Sequence, residues 1–507
     1  MATAIAKSPH GFGTKFFYGI GAVAFGVKDN GFGALLLLFY NQALGLDARL
    51  AGLAIAIALV VDAFLDPLIG YASDHLHTRW GRRHPFMYAA AVPAALSYLL
   101  LFSPPAGLSQ TGLFAYLLVS AICVRAFIAL YEIPNSALVA ELTQGYDQRT
   151  SYLSWRYFFG WMGGLTMSVA AFGVFLSVGA GKISGTQIPA NYHAYGVAAA
   201  IIMFSAIMAS SLGTHRAIPW LNRPAVREGH DARSNPFRDI RRALSSRSAV
   251  VILLAGMLYS LAMGLAGGIA PYIYSYFWAL TPQQISLLLS ASFLSAFAAL
   301  GCAPWLSRRL DKRRASIGIT FAIVMTTPIA LALRLLGLFP SASSHELIPL
   351  LFTTGAISTT LLIVQGILFT SMLADVIEES EVRTGQREEG VFFAANIFVQ
   401  KCVSGLGVFS SSIMLALAGF PAHANPGTVP AAVITHLSEY YIGTFVLLNF
   451  ASMSCVVAFR ITRARHAENL AILALRRGGK VMPALDSQAT AAVSFSETAL
   501  NSSSQRL

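Results

Sequence analysis

The sequence has little charge and few cysteines for its length. Of its 507 residues, 11% are charged and 55% are hydrophobic, which excludes a water-soluble protein because such a chain would need long polar faces to cover its apolar surface. The four cysteines lie in apolar runs without the spacing of metal ligands, so we expect reduced packing residues, no disulfide framework and no metal site. A paired-histidine motif, a P-loop and a Gly-x-Ser-x-Gly motif are also missing. We therefore expect neither an enzyme nor a resident cofactor.

In place of polar segments the chain has a series of long apolar runs. Runs of about 20 to 28 residues can cross a bilayer core of ~30 Å, so we predict an all-α polytopic membrane protein with twelve spans. The predicted spans are residues 15–40, 48–74, 84–104, 110–141, 151–180, 190–213, 248–278, 283–307, 314–337, 347–376, 388–420 and 432–462.

An arginine-rich polar segment divides the chain near its middle. Residues 214–247 carry eight arginines against three acidic residues, which predicts a cytoplasmic linker between two six-helix halves, residues 1–213 and 248–462. The polar residues 463–507 are predicted to form a cytoplasmic, disordered tail. A basic turn follows both the second and the eighth span, and this weak repeat indicates pseudo-symmetric halves with a site between them.

The net charge of +12 is distributed as in a membrane protein. Most bases fall in loops on one side of the predicted path, while the other side holds chiefly Arg49, Lys182 and Arg334. By the positive-inside rule this pattern predicts that both termini are cytoplasmic. We expect a multi-pass protein of the plasma membrane, the inner membrane of a bacterium, in contact with anionic lipid and without a nucleic-acid partner.

Two carboxylates lie one helical turn apart in the middle of the second span. Asp62 and Asp66 share a helix face, and a central Asp costs roughly 3 kcal/mol at membrane depth, so the pair indicates a function. Asp66 precedes Pro67 and could instead cap a helix break. Glu132, in the fourth span, can meet the pair across a helix interface. Arg125, two turns before Glu132, could form a structural ion pair with it.

Three further sites carry charge within the spans. Asp29, in the middle of the first span, is expected to face a wet cavity, and its neighbour Lys28 could either pair with a carboxylate or contact substrate. Lys401, in the eleventh span, is a natural counter-charge for the acids and could link the two halves. Arg156, at the start of the fifth span, could contact substrate or anchor in headgroups. The aromatic residues within 272–278 are predicted to form an interfacial belt, although one or two of their rings could line a substrate path.

Several of these charges stand in longer motifs that occur in both halves. The most specific are Asp62-Ala63-Phe64-Leu65-Asp66-Pro67 with Gly70, Asp74 and Arg79-Trp80-Gly81-Arg82. The others are Lys28-Asp29, Glu132-Ile133-Pro134, Ala374-Asp375-Val376, and Gly385 with Arg387 and Glu389-Gly390. Together they resemble the signature of the glycoside–pentoside–hexuronide:cation symporters, a family of the major facilitator superfamily.

The resemblance implies a twelve-helix major facilitator fold with two pseudo-symmetric six-helix halves and transport by alternating access. It implies that Asp62, Asp66 and Glu132 bind the coupling cation, with Lys401 as their partner. Asp29 and Arg156 would stand where sugar hydroxyls are bound, and we expect Arg125 and Lys28 to belong to the same substrate region. The cytoplasmic gating motif would comprise Asp74, Arg79, Gly81 and Arg82 in the first half and Asp375, Arg387 and Glu389 in the second.

The implied function is secondary active, cation-coupled symport of a sugar or glycoside, and we expect a monomer. Leu65 and Ala129 replace polar residues of sodium-using members, and a proton needs only one carboxylate, so the proton is the predicted coupling ion and sodium the alternative. Ser136 stands where a sugar-binding member has a stacking tryptophan, which leaves a lysolipid or another non-sugar organic solute open as cargo. A non-transporting membrane sensor is the third hypothesis, but the linker and the tail are too short for a folded signalling module.

Overall fold

The computed structural model describes residues 11–76, 78–143, 146–179, 183–220, 246–340, 344–384 and 389–476. Within these ranges twelve helices are long and apolar enough to cross a membrane, as the sequence predicts. They are α1 (Phe12–Ala43), α2 (Ala48–His75), α3 (His84–Leu101), α4 (Gln110–Leu142), α5 (Tyr146–Ala170), α6 (Pro189–His215), α7 (Arg247–Phe277), α8 (Pro282–Arg309), α9 (Lys312–Leu335), α10 (Leu347–Thr384), α11 (Glu389–Leu417) and α12 (Ala431–Val457).

The two halves pack their helices in the same pattern. In the first half α1 lies against α5 and α6, α2 against α4, and α3 against α6. In the second half α7 lies against α11 and α12, α8 against α10, and α9 against α12. The halves meet where α2 contacts α11 and where α5 contacts α8. The predicted fold of two pseudo-symmetric halves is therefore confirmed, and it places the helix of the buried acids beside the helix of Lys401.

The loops alternate between two ends of the bundle because successive helices run in opposite directions. We call the end with the α2–α3 and α8–α9 loops the basic end and the opposite one the far end. At the far end the halves are joined through Gln42 of α1, which is fully buried. Its amide donates to the carbonyl oxygen of Pro421 at 3.1 Å, and its Oε1 accepts from the N–H of Ala424 and the hydroxyl of Tyr276, both at 2.9 Å. The far end is sealed in this conformation.

Aromatic residues at the end of α7 belong to this seal. Tyr272, Tyr276 and Trp278 are all buried, and the hydroxyl of Tyr272 donates to Asn41 Oδ1 on α1 at 3.0 Å. The predicted interfacial belt is therefore wrong for these three residues. An aromatic cluster at the end of a span has the same composition whether it faces headgroups or a partner helix, so the sequence pattern could not separate the two.

The first part of the predicted tail is ordered. Residues 463–476 form α13 (Arg463–Arg476), which packs against α10. Asn469 and Leu473 of this helix are buried, and the N–H of Arg463 donates to Asp311 Oδ1 at 3.1 Å. The prediction of disorder is wrong for this segment because tertiary contacts stabilise a helix whose composition is polar. The rest of the tail, residues 477–507, and most of the linker, residues 221–245, lie outside the described residues.

Helices α1 and α5 approach each other backbone to backbone. A Cβ on Gly26 would lie 2.0 Å from the carbonyl oxygen of Gly160, and one on Gly164 would lie 2.7 Å from the carbonyl oxygen of Gly26. Only glycine leaves room for this approach, which is a common way for membrane helices to pack closely. The contact holds the segment of α1 with Lys28 and Asp29 against α5.

Gly26→Ala is therefore expected to lower the free energy of unfolding by about 1–3 kcal/mol, the usual cost of overpacking. The measurement is the melting temperature of the purified protein in detergent. Gly33→Ala is the matched control in the same helix, because a Cβ there meets nothing within 4 Å. Equal melting temperatures for the two variants would contradict the close α1–α5 contact.

Candidate cation-coupling site

The two aspartates of α2 face charged side chains from both halves. Asp62 is 1% exposed, and its Oδ2 lies 2.9 Å from Arg125 Nη1 of α4 and 3.2 Å from Lys401 Nζ of α11. The same Lys401 ammonium lies 2.5 Å from Asp66 Oδ2. Asp62 and Asp66 point the same way because they are one turn apart, so a single lysine can bridge them. This bridge joins the first half to the second in the middle of the bundle.

A second group of ion pairs lies between α1, α4 and α5. Lys28 Nζ is 2.9 Å from Asp29 Oδ1 and 3.9 Å from Glu132 Oε2. Arg156 Nη2 approaches Glu132 Oε1 at 3.5 Å. Glu132 therefore receives one base from α1 and one from α5. Its place deep in α4, which the sequence indicates, gives it access to both helices.

Two aromatic rings of α1 hold the arginines in position. The Arg125 guanidinium lies 4.4 Å from the centre of the Phe32 ring, and that of Arg156 lies 5.0 Å from the centre of the Phe25 ring. A guanidinium stacked on an aromatic face gains electrostatic attraction and loses side-chain freedom. Neither phenylalanine could be singled out from the sequence, because an aromatic residue on either side of Lys28-Asp29 does not show which arginine its ring will meet.

The two groups form one network whose charges balance. Lys28 also interacts electrostatically with Asp62, and Lys401 with Glu132. The network contains four acids and four bases: Asp29, Asp62, Asp66 and Glu132 against Lys28, Arg125, Arg156 and Lys401. Buried ions are tolerated when they are paired, so the balanced network needs no additional cation. A cation that enters must therefore compete with one of the four bases.

Asp66 is the member most open to such competition. Its Oδ1 is buried and has no hydrogen-bond partner in the part of the chain that the structure describes. Its other oxygen is held by Lys401 alone. A carboxylate with one free oxygen and one exchangeable partner can accept a proton or ligate a cation.

The predicted substrate residues divide into an exposed and a buried set. The side chain of Asp29 is 59% exposed and that of Arg156 is 15% exposed. Lys28 and Arg125 are 3% and 4% exposed and are occupied by ion pairs. All four belong to the charge network, but Asp29 and Arg156 are the more accessible to a solute in this conformation, and the predicted substrate roles of all four stay predictions.

The turn after α2 forms a compact ion cluster at the basic end. Arg83 pairs with Asp74 and lies 3.2 Å from Glu141 Oε1, which also accepts from Arg82 at 2.7 Å. Asp74 and Arg82 belong to the predicted gating motif, whereas Arg83 and Glu141 are functional candidates that the motif did not include. An acid in the last turn of α4, facing a basic turn, is the signal that could have found Glu141.

The other two motif residues of this turn have different surroundings. Arg79 is exposed and stacks over the Trp80 ring at 5.6 Å instead of joining the ion cluster. Gly81 has φ +80°, a left-handed conformation that favours glycine. The hydroxyl of Thr78 donates to the carbonyl of Gly81 at 2.8 Å and closes the turn. Gly81 thus shapes the turn that presents Arg82.

The gating motif of the second half is only partly described. Asp375 of α10 is 2.6 Å from Lys312 of α9, an ion pair within one half like those of the α2–α3 turn. Arg387 lies outside the described residues, and Glu389 is the first residue of α11 but its side chain is not described. Their predicted roles stay predictions.

Helix α13 is attached to α10 next to this ion pair. His466 Nδ1 lies 3.0 Å from Glu378 Oε2 and 3.5 Å from Asp375 Oδ1. Ligand atoms of the three residues lie within 4.8 Å of one another and could hold a metal ion. However, the Lys312 ammonium already occupies Asp375, and its charge disfavours a second cation there. We interpret the group as the contact that docks α13.

Docking of α13 is expected to weaken as the pH rises. The Glu378 carboxylate next to the ring, with the charge of Asp375, raises the pKa of His466 above its ordinary 6.5 despite partial burial and the nearby Lys312. A raised pKa means that the protonated ring stabilises the docked helix below the ordinary pKa, and that this contribution is lost as the pH passes through the raised value.

The test is amide hydrogen exchange in α13 between pH 5.5 and 9, corrected for intrinsic exchange rates. Protection should fall with pH in the wild type and change little with pH in His466→Gln. Arg465→Gln is the control, because Arg465 is exposed and pairs only weakly with Glu468 at 3.5 Å. The same pH profile in His466→Gln as in the wild type would show that His466 does not dock the helix.

Comparison with known proteins places the chain among transporters. A family model described as MFS/sugar transport protein matches residues 17–463. The isoprimeverose transporter of Lactiplantibacillus pentosus is 24% identical over 83% of this chain and 84% of its own length. The putative glycoside/cation symporter YagG of Escherichia coli (strain K12) is also 24% identical, over 89% of this chain and 92% of its own length. The crystal structure of the nucleoside transporter NupG has the same fold, with a TM-score of 0.59 at 13% identity over 88% of this chain and 99% of its own. The chain therefore belongs to the MFS/sugar transport protein family, in agreement with its resemblance to the glycoside–pentoside–hexuronide:cation symporters.

Proposed function

We propose that the protein is a secondary active transporter that couples the symport of a sugar or glycoside to a cation by alternating access, and that the cation is a proton. Relatives described as an isoprimeverose transporter, a putative glycoside/cation symporter and a lactose permease support the substrate class. They favour a sugar over a lysolipid or another non-sugar solute. Family membership likewise favours a transporter over an enzyme or a sensor.

The balanced charge network is the observation that carries the mechanism. With Lys401 bound to Asp62 and Asp66, the empty carrier is neutral across the contact between the halves and can change conformation. A proton on Asp66 removes one partner of Lys401, loosens the bridge and leaves an excess positive charge. Substrate bound near Asp29 and Arg156 would compensate for the lost contacts, so that only the empty or the doubly loaded carrier reorients readily.

The conformation fits one step of this cycle. The far end is sealed around Gln42, which lies thirteen residues after Asp29 on α1, or about 20 Å along the helix. Asp29 is exposed, so access to it is from the basic end. Under the positive-inside rule the basic end is cytoplasmic, and the conformation is inward-facing. Both termini then lie in the cytoplasm of a bacterium, with the protein a monomer in the inner membrane.

The side chains around the acids favour a proton over sodium. Ala129, which is buried on α4, and Leu65, between the two aspartates, offer no side-chain oxygen atoms. A sodium site would then depend on carboxylates already occupied by bases. A proton requires only one carboxylate oxygen, and Asp66 Oδ1 is a buried candidate.

The test is uptake into proteoliposomes of a panel of pentosides, hexosides and hexuronides, each driven by an imposed gradient. A pH gradient, acid outside, should cause at least one sugar to accumulate, whereas a sodium gradient at equal pH should not. Equal accumulation in a sodium gradient would overturn proton coupling but not symport. Failure of every sugar, with uptake of a lysolipid instead, would overturn the substrate class.

A further inference from the structure

An open cavity lies at the basic end between α3 and α6. Its volume is about 690 Å³, and its walls are Trp80, Tyr88, Leu212, His215 and Arg216. Neither the charge network nor the gating ion pairs include any of these five residues. The cavity therefore needs an explanation of its own.

The walls of the cavity are held rigidly. His84, fully buried at the start of α3, lies 3.0 Å through Nε2 from the hydroxyl of Thr214 near the end of α6. The Tyr88 hydroxyl lies 3.2 Å from the carbonyl oxygen of Ser211 and 3.0 Å from His215 Nδ1. These bonds tie the ends of the two helices together, so the cavity is a formed site in this conformation.

The cavity lies at the end of a lipid-facing surface. On α3 the half-buried Tyr88 is followed on the same face by Val92, Leu96 and Leu100, all exposed. On α6 the exposed Phe204 and Leu212 form a corresponding apolar stripe. Exposed apolar side chains four residues apart on membrane-spanning helices face hydrocarbon. Both stripes end at the cavity, at the level where the helices leave the membrane.

The rim of the cavity is basic. Arg216 is exposed in its wall, and Arg79 is exposed and stacked on the Trp80 ring. The Tyr88 hydroxyl has one hydrogen to donate. If it donates that hydrogen to the carbonyl oxygen of Ser211, it accepts the bond from His215, whose Nδ1 then carries a hydrogen. His215 Nε2 has no hydrogen-bond partner among the described residues. The start of α3 adds the positive end of a helix dipole.

We propose that this cavity binds the phosphate headgroup of one anionic phospholipid, whose acyl chains lie along the exposed stripes of α3 and α6. Basic pockets between membrane helices recognise such headgroups, and the apolar walls distinguish a lipid from a free phosphate. Because Trp80 belongs to the turn that carries Arg82 and Arg83, the bound lipid would stabilise the ion cluster of that turn. The proposal requires only that the helices span a membrane, and is independent of the cargo.

The test is lipid binding to the delipidated protein, by native mass spectrometry and by the rise in melting temperature. Phosphatidylglycerol should bind and stabilise the wild type, whereas phosphatidylcholine with the same acyl chains and free glycerol phosphate should not. Arg216→Gln should weaken binding of phosphatidylglycerol about tenfold, the loss of one charge-assisted hydrogen bond. Trp80→Leu tests the aromatic wall in the same way.

Arg460→Gln is the matched control, because Arg460 is also exposed near the basic end, beyond α12, and its loss should leave binding unchanged. The melting temperature of each variant without lipid identifies a variant that does not fold. If Trp80→Leu does not fold, the lipid affinity of Arg216→Gln alone decides. Equal binding of phosphatidylcholine, equal protection by glycerol phosphate, or wild-type affinity in Arg216→Gln would each overturn the proposal.

Discussion

Asp62→Asn is expected to abolish gradient-driven accumulation of substrate while the protein still inserts into the membrane. Asp62 is the most buried acid of the network and pairs with Arg125 and Lys401 at once. An amide of the same shape cannot neutralise either base or carry the coupling charge. Loss of one partner of a buried ion pair costs about 3–5 kcal/mol, so the empty carrier should not reorient. Net uptake of substrate should then be lost, because the carrier cannot return without its load.

The measurement is uptake by cells or proteoliposomes with the amount of membrane-inserted variant determined in parallel. Glu439→Gln is the control, since Glu439 is an exposed acid of α12 outside the network and its variant should accumulate substrate normally. Normal accumulation by Asp62→Asn at equal insertion would count against the whole coupling mechanism.

Lys401→Gln is the second variant with a large expected effect, and its defect should be reversible. Without Lys401 the network keeps four acids and three bases, so the unloaded carrier bears an uncompensated buried charge. We expect both active accumulation and net uptake to be lost. Exchange of labelled for unlabelled substrate should persist, because the fully loaded carrier still reorients. Lys401→Arg keeps the charge and should retain part of the accumulation.

The double variant Lys401→Gln with Asp66→Asn restores the charge balance with three acids and three bases. It should recover reorientation of the empty carrier, seen as net downhill uptake and efflux, which the Lys401→Gln single variant should lack. Addition of Asp47→Asn to Lys401→Gln is the control, because Asp47 is exposed at the start of α2 and cannot rebalance the network. If the double variant with Asp66→Asn is no faster than the single variant, charge balance is not what Lys401 provides.

The membrane spans and the acid pair could be predicted from the sequence because each depends on local information. Twenty-residue apolar runs specify spans regardless of what they pack against, and Asp62 and Asp66 share a face because of helix geometry alone. The positions of Glu132 and Lys401 deep within their spans also indicated buried partners. The predicted pairing of Lys401 with the aspartates is present in the structure. The possible ion pair of Arg125 with Glu132 is not, because Arg125 pairs with Asp62 and Glu132 with Lys28 and Arg156.

Contacts that depend on how helices rotate and pair could not be predicted. No sequence feature distinguishes Gln42 from other polar residues near span ends. Its importance depends on hydrogen bonds with α7 and the loop after α11, which form only in the folded protein. Glu141 acquires its importance from Arg82 and Arg83, which are distant in sequence. Helix α13 was missed because its charged residues do not indicate which helix it packs against; among its described side chains, those of Asn469 and Leu473 are buried.

The central claim is that Lys401 holds the place of the coupling cation in the empty carrier. The most direct measurement is the pH change that substrate evokes in weakly buffered proteoliposomes, with equilibrium exchange recorded on the same preparations. Wild-type protein should take up protons together with substrate, and Lys401→Gln should exchange substrate at a measurable rate without net proton uptake. Substrate-evoked proton uptake of wild-type size in Lys401→Gln would contradict the account.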